Sequence, residues 1–162
     1  MKKILILSDT HGQNGLLTQI IKAEKPFDML IHCGDLEVPP SMLECLVDCP
    51  IHAVRGNGDY SGDLPGMKVF RIGKLKVVAV HGHRYHVHDG LLSLTYLAKE
   101  NEADIVMFGH THVPLVTTEN GIVFVNPGSV TYPRQEGHVP SYVIMNVDND
   151  GDATFDIKYW GQ

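Results

Sequence analysis

Asp9 and His11 stand two residues apart near the start of the chain, and comparable clusters return four times. They are Gly34-Asp35, Gly56-Asn57-Gly58-Asp59, His81-Gly82-His83 and Gly109-His110-Thr111-His112. Each offers carboxylate, imidazole or amide atoms. Four contain glycine, which lets a backbone turn sharply and come close to a ligand. Asp-x-His and His-x-His place two donors on the same side of an extended segment, so one ion can be held from two directions. No cysteine takes part. An oxygen and nitrogen donor set suits manganese, iron, zinc, cobalt or nickel. Taken singly, each cluster has an ordinary reading: Asp9 as a helix cap, Asp35 as a turn residue, Asn57-Gly58 as a turn. Five such clusters in one chain point instead to a metal centre.

All five follow short apolar runs. Ile4–Leu7 is a continuous run of the kind expected for a strand buried on both faces, Met29–Cys33 reads as a second buried strand and Ile51–Val54 as a third strand. Helical spacing of Leu16, Leu17, Ile20 and Ile21 predicts a helix between the first two. Pro39-Pro40 open a second helix through Met42, Leu43, Leu46 and Val47. This β-α-β-α-β order implies a parallel sheet. Beyond it the texture changes. Hairpins are expected at 67–72/75–80, 115–118/122–125 and 142–147/153–159. A helix through Leu91, Leu94, Leu97 and Ala98 and a strand at 105–108 lie between the first two. The expected arrangement is a parallel βα half and a hairpin-built half, packed sheet on sheet with helices outside. Ligands of open α/β sheets bind beyond the carboxyl ends of strands, where the clusters fall.

The ordered set Asp9-x-His11, Gly34-Asp35, Gly56-Asn57, His81-Gly82-His83 and Gly109-His110-x-His112 resembles the calcineurin-like metallophosphoesterase family. Asn126-Pro127-Gly128-Ser129 and Pro133-Arg134 resemble its small YfcE-type phosphodiesterase branch, and the likeness spans residues 4 to about 134. The resemblance implies a four-layer α/β/β/α sandwich and two divalent ions, with manganese favoured. Asp9, His11, Asp35 and His112 would hold one ion. Asp35, Asn57, His81 and His110 would hold the other, with Asp35 bridging. A hydroxide between the ions would attack a phosphodiester in line with the leaving group. Many relatives carry a histidine after the ligand asparagine, and here it is Gly58. Strong protonation of the leaving group is therefore not expected, although His83 is a candidate to assist, or else a rim residue. Asn126, Ser129 and Arg134 are candidate phosphate contacts. Asn126 and Ser129 read equally well as a Pro-Gly turn. Asp59 is a candidate support for the donors, and His86 and His88 read as a loop beside the cleft. A phosphomonoesterase with the same site, and a protein-interaction scaffold that keeps the donors, are the alternatives.

The bulk properties narrow the field. The 162 residues fit one domain, 1–162, and the formal charge is −6. That balance, with one tryptophan and no basic-aromatic stripe, opposes broad binding of nucleic acid, although a small phosphodiester remains a fitting substrate. Two dications, two carboxylates and a hydroxide would leave about one positive charge in the cleft. The apolar stretch at Ile4–Leu7 is too short for a signal peptide, and no run approaches the roughly 18 residues of a membrane span, so a cytoplasmic protein is expected. Three cysteines, Cys33, Cys45 and Cys49, are expected as free thiols. Cys45 and Cys49 are read as small core residues that share a helix face. An exposed edge strand would permit a homo-oligomer.

Overall fold

The structure is a computed structural model that describes residues 1–60 and 62–162. Its strands are β1 (Lys2–Leu7), β2 (Met29–His32), β3 (Ile51–Ala53), β4 (Met67–Ile72), β5 (Leu75–Val80), β6 (Ile105–Met107), β7 (Leu115–Glu119), β8 (Ile122–Asn126), β9 (Ser141–Val147) and β10 (Ala153–Tyr159). The helices are α1 (Asn14–Glu24), α2 (Ser41–Glu44) and α3 (Leu92–Glu100). Two mixed sheets form, in the orders β10-β9-β1-β2-β3 and β4-β5-β6-β8-β7.

Side-chain alternation builds the layers. On β1, Ile4 and Ile6 enter the core between the sheets, where Val77 and Ala79 of β5 and Ile105 and Met107 of β6 also lie. Leu5 and Leu7 point the other way, onto Leu17, Ile20 and Ile21 of α1. Val78 and Val80 of β5 likewise turn outward onto Leu94 and Leu97 of α3. Both faces of each central strand are thus buried, which explains the continuous apolar runs. Each fully buried Leu or Ile contributes about 1.5–3 kcal/mol relative to exposure. The result is a four-layer α/β/β/α sandwich. α1 stops at Glu24 because Lys25, before Pro26, is held extended at φ −61° and ψ 143°.

Three expectations need correction. The last hairpin does not join the second sheet. β9 pairs antiparallel with β1, Ile4 opposite Met145, and completes the first sheet. The second sheet has its own parallel centre, β5-β6-β8. The second helix is a single turn, so Cys45 and Cys49 share no helix face. Cys45 is exposed, Cys49 half-buried and Cys33 buried, all as free thiols. No helix among the described residues is long and apolar enough to cross a membrane.

Candidate metal centre

The carboxyl ends of β1, β2, β3, β5 and β6 lead into the five polar clusters, and the backbone ties those loops together. Asp9 N–H donates to the Gly34 carbonyl, His11 N–H to the Asp35 carbonyl and Gly109 N–H to the His81 carbonyl. Asp9, His11, Asp35, His110 and His112 all have positive φ, between 47° and 70°. Side chains rarely adopt that region, and each instance costs on the order of 1–3 kcal/mol. Strain at five neighbouring donors is the pattern of a functional site.

Two groups of donors converge. Asp9, His11 and His112 form one, and Asp9, Asp35 and His81 the other. Asp9 Oδ1 lies 3.1 Å from His112 Nε2, 3.7 Å from His11 Nε2 and 3.8 Å from His81 Nε2. Asp35 Oδ2 lies 3.2 Å from His81 Nε2 and 3.8 Å from His11 Nε2. Each carboxylate has one anchored oxygen and one aimed inward. Asp9 Oδ2 accepts from Ser8 Oγ at 2.5 Å and His110 N–H at 3.1 Å. Asp35 Oδ1 accepts from Gly58 N–H at 2.7 Å. Asp9 therefore belongs to both groups, whereas the sequence reading gave the shared place to Asp35 alone.

The imidazoles are oriented from behind. His11 Nδ1 faces Glu37 Oε2 at 2.6 Å, His81 Nδ1 the Cys33 carbonyl at 2.8 Å and His112 Nδ1 the Tyr132 carbonyl at 2.7 Å. These acceptors require N–H at Nδ1, which leaves each Nε2 to take a metal ion or a proton. Yet His11 Nε2 and His112 Nε2 face each other at 3.2 Å. Two lone pairs in that position repel unless a cation or proton lies between them. His81 Nε2 and Asp9 Oδ1 are buried with no hydrogen-bond partner. Buried polar atoms are rarely orphaned, and these two point into the donor cluster. The residues fit divalent metal.

The remaining predicted residues fall around this cluster. The His110 ring is centred 5.1 Å from that of His81 and 5.0 Å from that of His88. Asn57 is exposed and lines a cavity together with His81 and His83. His83 is half-buried, 5.5 Å from His81 between ring centres. Asp59 accepts from Asp35 N–H and Gly56 N–H with Oδ2, and from Glu37 N–H with Oδ1, so it fixes the β2 and β3 loops against each other. Asn126 and Ser129 are buried and bonded within the protein. Asn126 donates to the Gly109 carbonyl and Thr111 Oγ1 and accepts from Gly128 N–H. Ser129 Oγ donates to the Asp9 carbonyl and accepts from Thr131 N–H and Tyr132 N–H. Their geometry holds the donor loops in place and leaves no free group for a phosphate. Arg134 is exposed, and its backbone N–H donates to the His112 carbonyl.

Three residues near the centre were missed: Glu37, Arg55 and Arg84. Glu37 Oε1 would lie 2.6 Å from a Cβ at position 58, so the space beside Gly58 belongs to this carboxylate. Arg55 and Arg84 line the cavity beside His81. Their adjacency to Gly56-Asn57 and His83 was the available signal.

Electrostatics follow from the packing. Burial pushes the Asp35 carboxyl up, but His81, whose Nε2 stands 3.2 Å from Asp35 Oδ2, and the Gly58 N–H outweigh it and bring it down to about 2. Burial similarly opposes ionisation of Asp9, and His112, His81 and Ser8 hold it below the usual carboxylate range. Burial disfavours protonation of His81, yet Asp35 and Asp9 raise it above its ordinary value. Burial, then the charges of His81 and His88, bring His110 down to about 4. Without metal, the protonated His81 stabilises the fold. That contribution is fully present below the ordinary pKa of 6.5 and is lost as pH rises through the raised value. A metal must displace this proton, so affinity should fall as pH drops below neutral, and loading near pH 7 should release up to about one proton. Calorimetric titration in two buffers of different ionisation heat reads that release. Equal heats in both buffers would mean that His81 is already neutral.

Comparison with known proteins agrees with this geometry. The model of the calcineurin-like phosphoesterase superfamily domain matches residues 1–150. The chain belongs to that superfamily. A probable metallophosphoesterase of Bacillus subtilis (strain 168), YsnB, is 37% identical over 150 residues, covering 91% of this chain and 85% of that one. A predicted phosphoesterase from Streptococcus pneumoniae TIGR4 superposes with a TM-score of 0.81 at 28% identity, over 97% of this chain and 98% of that one. Vps29 from Entamoeba histolytica, solved with Zn2+, shares the fold with a TM-score of 0.76 at 22% identity, over 97% and 98% of the two chains. Metallophosphoesterases of this family use divalent metals, and this calcineurin-like chain carries candidate ligands for such ions.

Proposed function

We propose that the protein is a phosphodiesterase dependent on two divalent ions, acting as one domain over residues 1–162. The mixed carboxylate and imidazole donors suit manganese, iron, zinc, cobalt or nickel, and manganese is the ion we favour among them. The observation that carries this reading is the pair of Nε2 atoms of His11 and His112, facing each other at 3.2 Å with both Nδ1 atoms directed at acceptors. Asp9, His11 and His112 would hold one ion, with Asp35 Oδ2 within reach. Asp9, Asp35 and His81 would hold the other, with His110 and Asn57 beside them. When bound, such ions lower the pKa of water and stabilise charge on phosphoryl oxygens. Glu37, Cys33 and Tyr132 fix the ligand imidazoles from behind, and Asp59, Asn126 and Ser129 fix the loops that carry the donors.

The test is to strip the protein with a chelator and assay hydrolysis of a bis-aryl phosphodiester with and without manganese, alongside Asp35→Asn and His81→Ala. Manganese should restore activity to the original protein and to neither variant. A folded, metal-loaded protein with no turnover would favour a binding scaffold.

Leaving-group preference follows from the same site. Position 58 has no side chain. Burial and the charges of His81 and Arg84 hold His83 below the ordinary imidazole range, so it carries little proton to give at neutral pH. Aryl diesters, whose leaving groups need no proton, should be cleaved at least about 100-fold faster than alkyl diesters, the low end of what a general acid supplies. Comparable rates for the two would require an acid elsewhere in the site.

A further inference from the structure

Beside His81 opens a cavity of about 510 Å³, walled in part by Arg55, Asn57, Met67, His83, Arg84 and Tyr85. Arg55 follows β3 and Arg84 lies in the turn after β5, so the two sheets each supply one guanidinium. Among the described residues, neither guanidinium has an ion-pair or hydrogen-bond partner. The acidic residue in the wall, Asp59, uses both carboxylate oxygens to accept backbone N–H groups. Two cations with no partner among the described residues therefore face one cavity on a protein of net charge −6. The positive charge of each reaches the ring of His83.

That arrangement has a chemical complement. Guanidinium groups bind phosphate through paired charge-assisted hydrogen bonds. The cavity falls within the usual 300–1,000 Å³ of small-ligand sites, more than a bare phosphate fills. Half-buried Tyr85 and the side chain of Met67 give the wall an apolar stretch. We propose that this cavity is a subsite for a nucleotide-sized arm of the substrate that carries a second, terminal phosphate held by Arg55 and Arg84. The proposal rests on the phosphodiesterase reading and names its substrate class. A polymer would need a longer basic track than two arginines provide.

The probes are two p-nitrophenyl esters of thymidine 5′-phosphate, one with a free 3′-hydroxyl and one with a 3′-phosphate. With manganese, the 3′-phosphate should raise kcat/KM by about tenfold or more, the scale of one charge-assisted hydrogen bond. In the Arg55→Gln/Arg84→Gln double variant that ratio should fall towards one. Both side chains are exposed, and an unchanged Tm would show that the variant folds. Calorimetric titration of the manganese-loaded protein with thymidine 3′,5′-bisphosphate and with thymidine 5′-monophosphate gives a readout independent of turnover. Tighter binding of the bisphosphate that is lost in the double variant supports the subsite even if neither ester is cleaved, an outcome that would sink the hydrolase reading alone. A ratio near one in the original protein, or a preference that survives both substitutions, overturns the subsite.

Discussion

Asp9→Asn is expected to lower the metal-dependent rate by about 10³-fold or more, roughly 4 kcal/mol of transition-state stabilisation, while costing the metal-free protein part of its stability. The two effects have one origin. Asp9 Oδ2 already accepts from Ser8 and from the His110 backbone, and an amide oxygen can keep both bonds. The amide NH2 then takes the place of Oδ1, which is buried and unpartnered in the native chain. There it can donate to His112 Nε2, 3.1 Å from the present Oδ1. The substitution removes a carboxylate charge that His112, His81 and Ser8 stabilise in the fold, and with it a donor shared by both groups. A loss of about 1 kcal/mol would lower Tm by roughly 2–4 °C in a chain of this size. Scanning calorimetry with and without manganese separates the two contributions. The metal-induced rise in Tm should be present in the native protein and absent in the variant. A metal-free Tm at or above that of the native protein would show that the fold itself does not need the Asp9 charge.

Gly109→Ala should be nearly as damaging, for want of space. A methyl group there would collide with Ser8 Oγ and stand 2.6 Å from Asp9 Oδ2 and 3.1 Å from Ser8 Cβ. Ser8 and Asp9 are fully buried, and neither can swing into solvent. Gly109 cannot retreat either, since its N–H donates to His81 and its carbonyl accepts from Asn126. Overpacking of this kind costs about 1–3 kcal/mol, occasionally more. Displacing Asp9 should also weaken metal binding by roughly 10–100-fold, the usual effect of disturbing the groups behind a ligand. Gly121→Ala is the informative control. Gly121 has φ +76° with nothing within 4 Å of a Cβ, so alanine there meets backbone strain alone. It should cost stability with no change in metal affinity. Equal metal affinity in both variants would reduce Gly109 to an ordinary turn residue.

The sequence made the strands legible because most are buried on both faces, and continuous apolar runs such as Ile4–Leu7 and Ile105–Phe108 are the direct imprint of that burial. It made the candidate metal donors legible because ligation needs particular atoms, so Asp9, His11, Asp35, His81 and His112 could be read by residue type. Partnership between distant segments left no such mark. Nothing local to Tyr142–Val147 says that it pairs with β1 rather than with its neighbours in sequence. The supporting residues were obscured for a related reason. Asn126 and Ser129 resemble phosphate contacts in type, and only their hydrogen bonds reveal that they are spent on the Gly109 and Asp9 loops. Glu37, Arg55 and Arg84 are charged residues next to glycine-rich motifs, where solvated charges are commonplace. Their meaning comes from which side chains stand opposite.

The pairing of β1 with β9 also bears on how the molecule is made. β1 is a central strand whose two partners lie on very different stretches of chain: β2 follows at once, whereas Met145 is opposite Ile4. On a ribosome adding about 5–20 residues per second, the edge of β1 waits roughly 7–28 s for that partner to be synthesised. Ser129 and Thr131, which bond to the Asp9 and Thr10 carbonyls, come almost as late. The first-made donor loop is therefore tied early to the loop after β2 but receives its last clamps only late. A nascent chain stalled before residue 129 would carry Asp9, His11, Asp35, His81, His110 and His112 without the contacts that clamp the first of them, and with one apolar strand edge open to other chains.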